Sequence, residues 1–135
     1  MNTKYPRIWI AAHGGSYEVA MAEDTPPAIL HLLANDEGED VRQQVAHNSN
    51  TPVVALRKLA DDEEWRVREA VTLNSKTTAE VLRKLADDDD VMVRRGVTWN
   101  PNTPDEVLRK LAAHDVDRFV RKTARDVLGK RGLTL

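Results

Sequence analysis

The sequence has 135 residues, no cysteine, few aromatic residues, and a formal net charge of −2 from 20 Lys+Arg and 22 Asp+Glu. The length fits one domain, and the lack of cysteine excludes disulfides, thiolate zinc sites and cysteine-held iron–sulfur clusters. The near-balanced charge gives no global reason to bind nucleic acid or anionic lipid. No apolar run approaches a membrane span of about 18 residues, and residues 8–12 are too short for a signal-peptide core, so we expect a cytoplasmic protein without membrane contact.

A period of 26 residues organises the chain. Threonine, leucine and alanine positions all keep this step, which is the mark of a repeat protein. We expect a single domain over residues 1–135, divided into an N-terminal cap (1–24), four units (25–50, 51–76, 77–102 and 103–128) and a C-terminal tail (129–135).

Each unit is predicted to contain two short helices. A Thr-Pro pair, replaced by Thr77-Thr78 in one unit, is expected to cap and begin the first helix, and an aspartate-rich turn is expected to end it. Thr77 with Glu80, and Thr103 with Glu106, match the capping-box pattern. The apolar spacing of the second helix defines one buried face, and the asparagine that closes each unit is expected in the left-handed conformation.

The two ends are predicted to differ from the units. Gly14 and Gly15 interrupt the N-terminal cap, and a longer helix over 117–131 ends the chain, with Gly129 or Gly132 beyond its last turn. Helices of about 8–10 residues are marginal alone, so stacking must stabilise them. The expected fold is all-α, a right-handed α-solenoid of about four two-helix repeats with divergent helical caps.

The string NPNTPDEVLRKLA at residues 100–112 resembles the variant leucine-rich repeat family, and the resemblance extends over residues 17–128. It implies kinship with HEAT-like helical repeats and an interaction scaffold with no reaction of its own. In the founding type the second helix is of the 3₁₀ kind, whereas the apolar spacing here favours an α-helix, which leaves that detail open. The founding type also carries a cysteine cluster, which this chain lacks.

Charged residues recur at two places in the units. An arginine ladder follows the core valines of the second helices, and we interpret it as structural, each arginine pairing with an aspartate of a neighbouring turn; an anion-binding row is the alternative. The ladder consists of Arg42, Arg68, Arg94 and Arg121, with Asp36, Asp62, Asp88 and Asp115 in the turns. A basic row on the first helices is either a solvated face, helped by pairs such as Glu80 with Arg83, or a nucleic-acid site. It consists of Arg57, Lys58, Arg83, Lys84, Arg109 and Lys110.

An apolar row on the second helices lies outside the core positions and is the strongest indication of a binding partner. Its members belong to the residue types that dominate interface hot spots, although they could instead cover the junctions between units. They are Trp65, Arg66, Leu73, Met92, Trp99 and Phe119.

Catalysis and metal binding find little support in the sequence. The four histidines show no ligand spacing, and no nucleophile or phosphate-loop motif is present. We therefore expect a non-enzymatic scaffold with no cofactor and no metal that binds another protein, with nucleic-acid binding as the alternative. A monomer is expected, with end-to-end stacking into a dimer left open.

Overall fold

The computed structural model describes residues 6–135, which form ten α-helices without a strand in that range. The all-helical prediction is confirmed, and the second helix of each unit is α rather than 3₁₀. Residues 1–5 of the predicted N-terminal cap lie outside the described range. The helices are α1 (Pro6–Ala12), α2 (Ser16–Met21), α3 (Pro27–Leu33), α4 (Glu39–His47), α5 (Val53–Leu59), α6 (Trp65–Thr72), α7 (Ala79–Leu85), α8 (Val91–Trp99), α9 (Asp105–His114) and α10 (Arg118–Lys130).

The second helices stack on one another in chain order. Helix α2 contacts α4, α4 contacts α6, α6 contacts α8 and α8 contacts α10, while each unit's first helix contacts its own second helix. The leucines of the first helices and the valines of the second helices fill one continuous core, in which Leu56, Leu82, Val67 and Val93 are fully buried. Helix α2 thus occupies the place of a second helix, although it belongs to the N-terminal cap.

The threonines that begin the four units are not N-caps, which corrects the prediction. They are buried, and each hydroxyl donates to a carbonyl near the end of the preceding second helix, at 2.5 to 2.6 Å. These donor–acceptor pairs are Thr25–Val19, Thr51–Val45, Thr77–Val71 and Thr103–Val97. A buried hydroxyl needs a partner, and each of these carbonyls can accept it beside the backbone N–H that it already accepts from three residues on.

Both capping boxes are consequently absent. The N-cap of α7 is Thr78, whose hydroxyl accepts from the backbone N–H of Val81, and the N-cap of α9 is Pro104, which has no side-chain acceptor. Because Thr77 and Thr103 use their hydroxyls on the preceding unit, these threonines join two units instead of beginning a helix.

The asparagines that close the units also differ from their predicted role. Asn48 and Asn100 have extended backbone, with φ near −71° and −76°, so neither is left-handed. The buried side-chain amides of Asn48, Asn74 and Asn100 reach back to the preceding unit, where each donates to two carbonyls. The acceptors are those of Ala20 and Ala22 for Asn48, Ala46 and Asn48 for Asn74, and Thr72 and Asn74 for Asn100.

The arginine ladder joins each unit to the next. Arg42 pairs with Asp62, Arg68 with Asp88 and Arg94 with Asp115, at Nε–Oδ2 distances of 2.7, 2.8 and 2.9 Å. Each Nη2 donates to the second carboxylate oxygen, so the pairs are bidentate, and this hydrogen bond raises the pKa of all three arginines. The guanidinium also donates to a backbone carbonyl of its own preceding turn.

The ladder is incomplete at both ends of the stack. Asp36 makes the same turn as its equivalents, its Oδ1 accepting from the N–H of Gly38, but no ion pair to it is seen within residues 6–135. Ser16 stands one period before Arg42 and cannot supply the guanidinium. Arg121 donates to the carbonyl of Asp115, and no carboxylate pairs with it among the described residues.

Arg131 binds the carbonyls at the start of the last unit. Its guanidinium donates to the carbonyls of Asn100 and Thr103 and pairs with Asp105 at 2.8 Å, in the way that the asparagine amides of one unit bind the carbonyls of the unit before. Gly132, with φ near 77°, follows in the left-handed turn. Gly129 lies inside α10, so only Gly132 of the two predicted glycines lies beyond the helix.

Candidate functional site

The solvent-facing side chains of the second helices form a grid of three rows. In each helix, side chains at i, i+3 and i+7 face the same way, as Met92, Arg95 and Trp99 do in α8. We call this surface the second-helix face. Its first row is Asp40, Arg66, Met92 and Phe119; its middle row is Tyr17, Gln43, Glu69, Arg95 and Lys122; its last row is Met21, His47, Leu73, Trp99 and Asp126.

Four of the six residues predicted as a partner site are exposed apolar side chains on this face. Their exposed fractions are 48% for Leu73, 37% for Met92, 50% for Trp99 and 59% for Phe119. Side chains this exposed do not fill the junctions between units. Trp65 differs, because it is half-buried against the core, and the exposed Arg66 lies over its ring.

Two further exposed apolar residues extend the rows toward the N-terminus. Tyr17 and Met21 of α2 are 39% and 50% exposed and stand one period before Gln43 and His47. Neither is among the residues predicted for the partner site, because residues 1–24 depart from the repeat motif and are assigned to the cap. The 26-residue step back from His47 was the signal that could have found Met21.

Arginines lie over three aromatic rings of the second helices. The guanidinium carbon is 4.8 Å from the ring centre for Arg66 on Trp65, 4.9 Å for Arg95 on Trp99 and 5.6 Å for Arg118 on Phe119. These distances are within the range of cation–π attraction, which holds the ring and the cation in a fixed relation. The exposed rings of Trp99 and Phe119 are therefore held in place, each with a guanidinium over one face.

A groove of about 350 Å³ separates the exposed sides of α8 and α10. Trp99 and Phe119 line it together with Arg95, and Lys122, Asp126 and Lys130 lie along the α10 side. Lys122 pairs with Asp126 at 3.0 Å. The Nε of Arg95 is shielded from solvent and has no hydrogen-bond partner among the described residues. The groove therefore brings two exposed aromatic rings next to the guanidinium of Arg95, whose Nε makes no hydrogen bond in this part of the chain.

Charge changes sign along the second-helix face. On the α4–α6 side, Glu39 lies close enough to Glu64 to raise the pKa of Glu64, and burial followed by the charge of Asp90 raises the pKa of Glu69. The α8–α10 side carries Arg95, Lys122 and Lys130 instead. The face is therefore net acidic on the α4–α6 side, where Asp40 and Glu69 outnumber Arg66, and net basic on the α8–α10 side, where Arg95 and Lys122 outnumber Asp126.

The basic row of the first helices lies on another surface and is largely paired. Arg83 binds Glu106 at 2.8 Å, Lys110 binds Asp87 at 3.2 Å, and Lys84 pairs with Asp61. Each pair joins neighbouring units, and Arg83 is paired with Glu106 instead of the predicted Glu80. Arg109 donates to the carbonyl of Thr134, and Arg57 and Lys58 are exposed.

The remaining chemistry of the described residues is sparse. A second cavity, of about 670 Å³, lies beside Asp36 and is lined by parts of α1, α2 and the end of α3. Over residues 6–135, no group of three or more His, Asp or Glu side chains is placed to hold a metal ion. No helix in that range is long and apolar enough to cross a membrane.

Comparison with known proteins identifies the repeat unit. A family model described as leucine rich repeat variant matches residues 39–64. The matched segment begins at α4, includes all of α5 and ends just before α6, so it covers one 26-residue period across two of our units. No curated protein and no solved structure gives a significant match. One period of this all-helical chain is thus similar to the variant leucine-rich repeat, which confirms the resemblance noted in the sequence over residues 39–64.

Proposed function

We propose that this chain is a non-enzymatic adaptor that binds another protein through its second-helix face. The observation that carries the proposal is the set of exposed apolar residues on that face, Leu73, Met92, Trp99 and Phe119. Large exposed apolar side chains at neighbouring positions are typical of interaction surfaces, and Trp is the commonest hot-spot residue among them. We further propose that the protein acts as a cytoplasmic monomer.

We propose that the stack of helices is curved, with the second-helix face on its concave side. The second helices contact one another more closely than the first helices do, and the layer with the closer spacing lies on the inside of a bend. Gly96 of α8 supports this, because a Cβ there would lie 2.1 Å from the Thr72 hydroxyl of α6. A right-handed α-solenoid with a concave second-helix face has these properties.

The size of the face limits the kind of partner. Five stacked helices at roughly 9 Å spacing span about 36 Å, and a nine-residue helix is about 13 Å long. The face therefore offers on the order of 500 Å² per partner, below the roughly 800 Å² of a standard interface. An extended segment or a single helix of the partner suits this strip better than a large globular surface.

Nucleic-acid binding by the basic row has less support. Carboxylates from neighbouring units already pair with Arg83, Lys84 and Lys110. These pairs are exposed and individually weak, but they reduce the net positive potential that a phosphate chain would encounter. The alternative predicts salt-sensitive RNA or DNA binding that weakens when Arg57, Arg83 and Arg109 are neutralised.

A pull-down from source cells tests the proposal. We expect the variant Trp99→Ala plus Met92→Ala to lose the partner while its circular dichroism and melting temperature stay near those of the wild type. A matched control, Val54→Ala plus Arg57→Ala, removes an exposed apolar residue and a cation from α5 and should retain the partner. Retention by the first variant, or loss by the control alone, would contradict binding through this face.

A further inference from the structure

We infer that the groove between α8 and α10 binds an acidic peptide segment of the partner. One carboxylate of the segment accepts hydrogen bonds from Arg95, and a neighbouring apolar side chain lies between Trp99 and Phe119. The inference rests on the proposed function and assigns the partner's chemistry at one place on the second-helix face.

Arg95 is the residue that points to a carboxylate. Its Nε is shielded from solvent and has no partner in the described part of the chain, so a ligand meets the guanidinium at its Nη groups. The guanidinium lies over the Trp99 ring, 4.9 Å from the centre, which fixes the plane of the group. A fixed guanidinium loses little freedom when a planar carboxylate accepts from its two Nη groups side by side.

The two aromatic rings of the groove favour an apolar side chain next to that carboxylate in the bound peptide. Trp99 and Phe119 are 50% and 59% exposed and face the groove from different helices. The volume of about 350 Å³ is at the lower end of the range of ligand pockets, about 300–1,000 Å³, so it suits one or two side chains. An apolar side chain there would remove both rings from water while the carboxylate meets Arg95.

The charges favour a peptide over a nucleic acid. Lys130 and Lys122 add positive charge beside Arg95, but Asp126 already pairs with Lys122 and lines the same groove. On the neighbouring helix α6, Glu69 occupies the position of Arg95 one period earlier. A chain of phosphates continuing along the face would meet Glu69, whereas a peptide with local acidic residues would not need to extend there.

Fluorescence anisotropy with labelled peptides on the full chain tests this assignment. The probe is an array of 12-residue peptides with Leu, Phe, Met or Trp at the centre and Asp and Glu around it. Matched peptides replace the acids with Lys, or the central residue with Ala, and a fluorescent U12 RNA is included. We expect acidic peptides with an apolar centre to bind best and to weaken with added salt.

Variants then locate the site. Arg95→Gln and, separately, Trp99→Ala should weaken the best peptide at least tenfold, whereas Arg57→Gln on α5 should leave its affinity unchanged. In ¹H–¹⁵N spectra, the indole signal of Trp99 should shift on titration. Circular dichroism must show that each variant is folded; if Arg95→Gln is not, Phe119→Ala replaces it, with the same tenfold loss expected.

Four results would overturn the inference, and the first three concern relative affinities. They are equal binding of acidic and matched basic peptides, unchanged affinity in the folded groove variants, and tighter binding of the RNA than of any acidic peptide. Failure of all acidic peptides also overturns it. If the Trp99 and Met92 variant still loses a captured partner, the proposed function stands and only the assigned chemistry is wrong.

Discussion

Arg42 and Asp62 form a bidentate pair across the junction of two units, with hydrogen bonds of 2.7 and 3.2 Å. Only 12% and 8% of their side-chain surfaces are exposed, so the pair is held away from solvent. The same pair recurs at the next two junctions. Neighbouring units therefore depend on one another through charge as well as through the apolar core.

The aspartates of the turns allow a matched test of this ladder. Asp62→Asn keeps the turn acceptor but leaves the guanidinium of Arg42 without its counter-charge, and we expect a loss of about 2 kcal/mol in the free energy of unfolding. Asp36→Asn makes the same change where no arginine is paired in the described residues, and should cost less than about 0.5 kcal/mol. Urea unfolding measures both, and equal losses would contradict the structural role.

Two helical glycines should respond oppositely to alanine. A Cβ at Gly96 would lie 2.1 Å from the Oγ1 of Thr72, a buried residue of α6, so Gly96→Ala should destabilise the fold by about 1–3 kcal/mol. A Cβ at Gly129 would meet nothing within 4 Å, so Gly129→Ala should stabilise by about 0.5–1 kcal/mol. Thermal unfolding should lower one melting temperature and raise the other; a stabilised Gly96→Ala variant would show that α6 and α8 are not so close.

The closing asparagines give a third prediction. Asn74→Ala removes the donors to the carbonyls of Ala46 and Asn48 in the core of the stack, and should cost about 2–3 kcal/mol. Asn102 also reaches back to two carbonyls, but it is exposed and its equivalent in the preceding unit is Lys76. Asn102→Ala should therefore cost at most about 1 kcal/mol, since water replaces its bonds. Denaturant unfolding of both variants checks the difference, and a loss for Asn74→Ala no larger than for Asn102→Ala would refute it.

His47 should make stability depend on pH. Desolvation lowers its pKa from the ordinary value of 6.5, so the unfolded chain takes up a proton there more readily than the folded chain. Stability is therefore lost as the pH falls through 6.5. We expect His47→Gln to lose less stability than the wild type between pH 8 and pH 5. A His47→Gln curve parallel to that of the wild type would be the contrary result.

Much of the fold could be predicted from the sequence because the period repeats residues whose role is local. Leu56 on α5 and Val67 on α6 each stand at helical spacing from the other apolar residues of the same helix. The two-helix unit and its core therefore follow from one stretch of chain. The family resemblance was visible for the same reason. The period also predicted a basic row on the first helices and an arginine ladder on the second helices, at the positions where the structure has them.

The roles that failed depend on contacts between units. Thr77 precedes a helix just as an N-cap does, and nothing in the sequence shows that its hydroxyl is closer to the carbonyl of Val71. The groove and the unused Nε of Arg95 were likewise not visible, because they depend on how α8 and α10 sit beside one another. The repeat placed Trp99 and Phe119 outside the core positions, but it left their exposure open and did not show that they share a groove.

Site-specific photo-crosslinking in source cells tests the central claim most directly. A photoreactive phenylalanine analogue replaces Leu73 or Phe119 on the second-helix face, or Val54 on α5 as the control, all three being exposed apolar positions. We predict one common partner band at both second-helix positions, absent at Val54 and lost when Trp99→Ala is added to the Leu73 variant. Crosslinks at Val54 with none at Leu73 and Phe119 would contradict binding through the second-helix face.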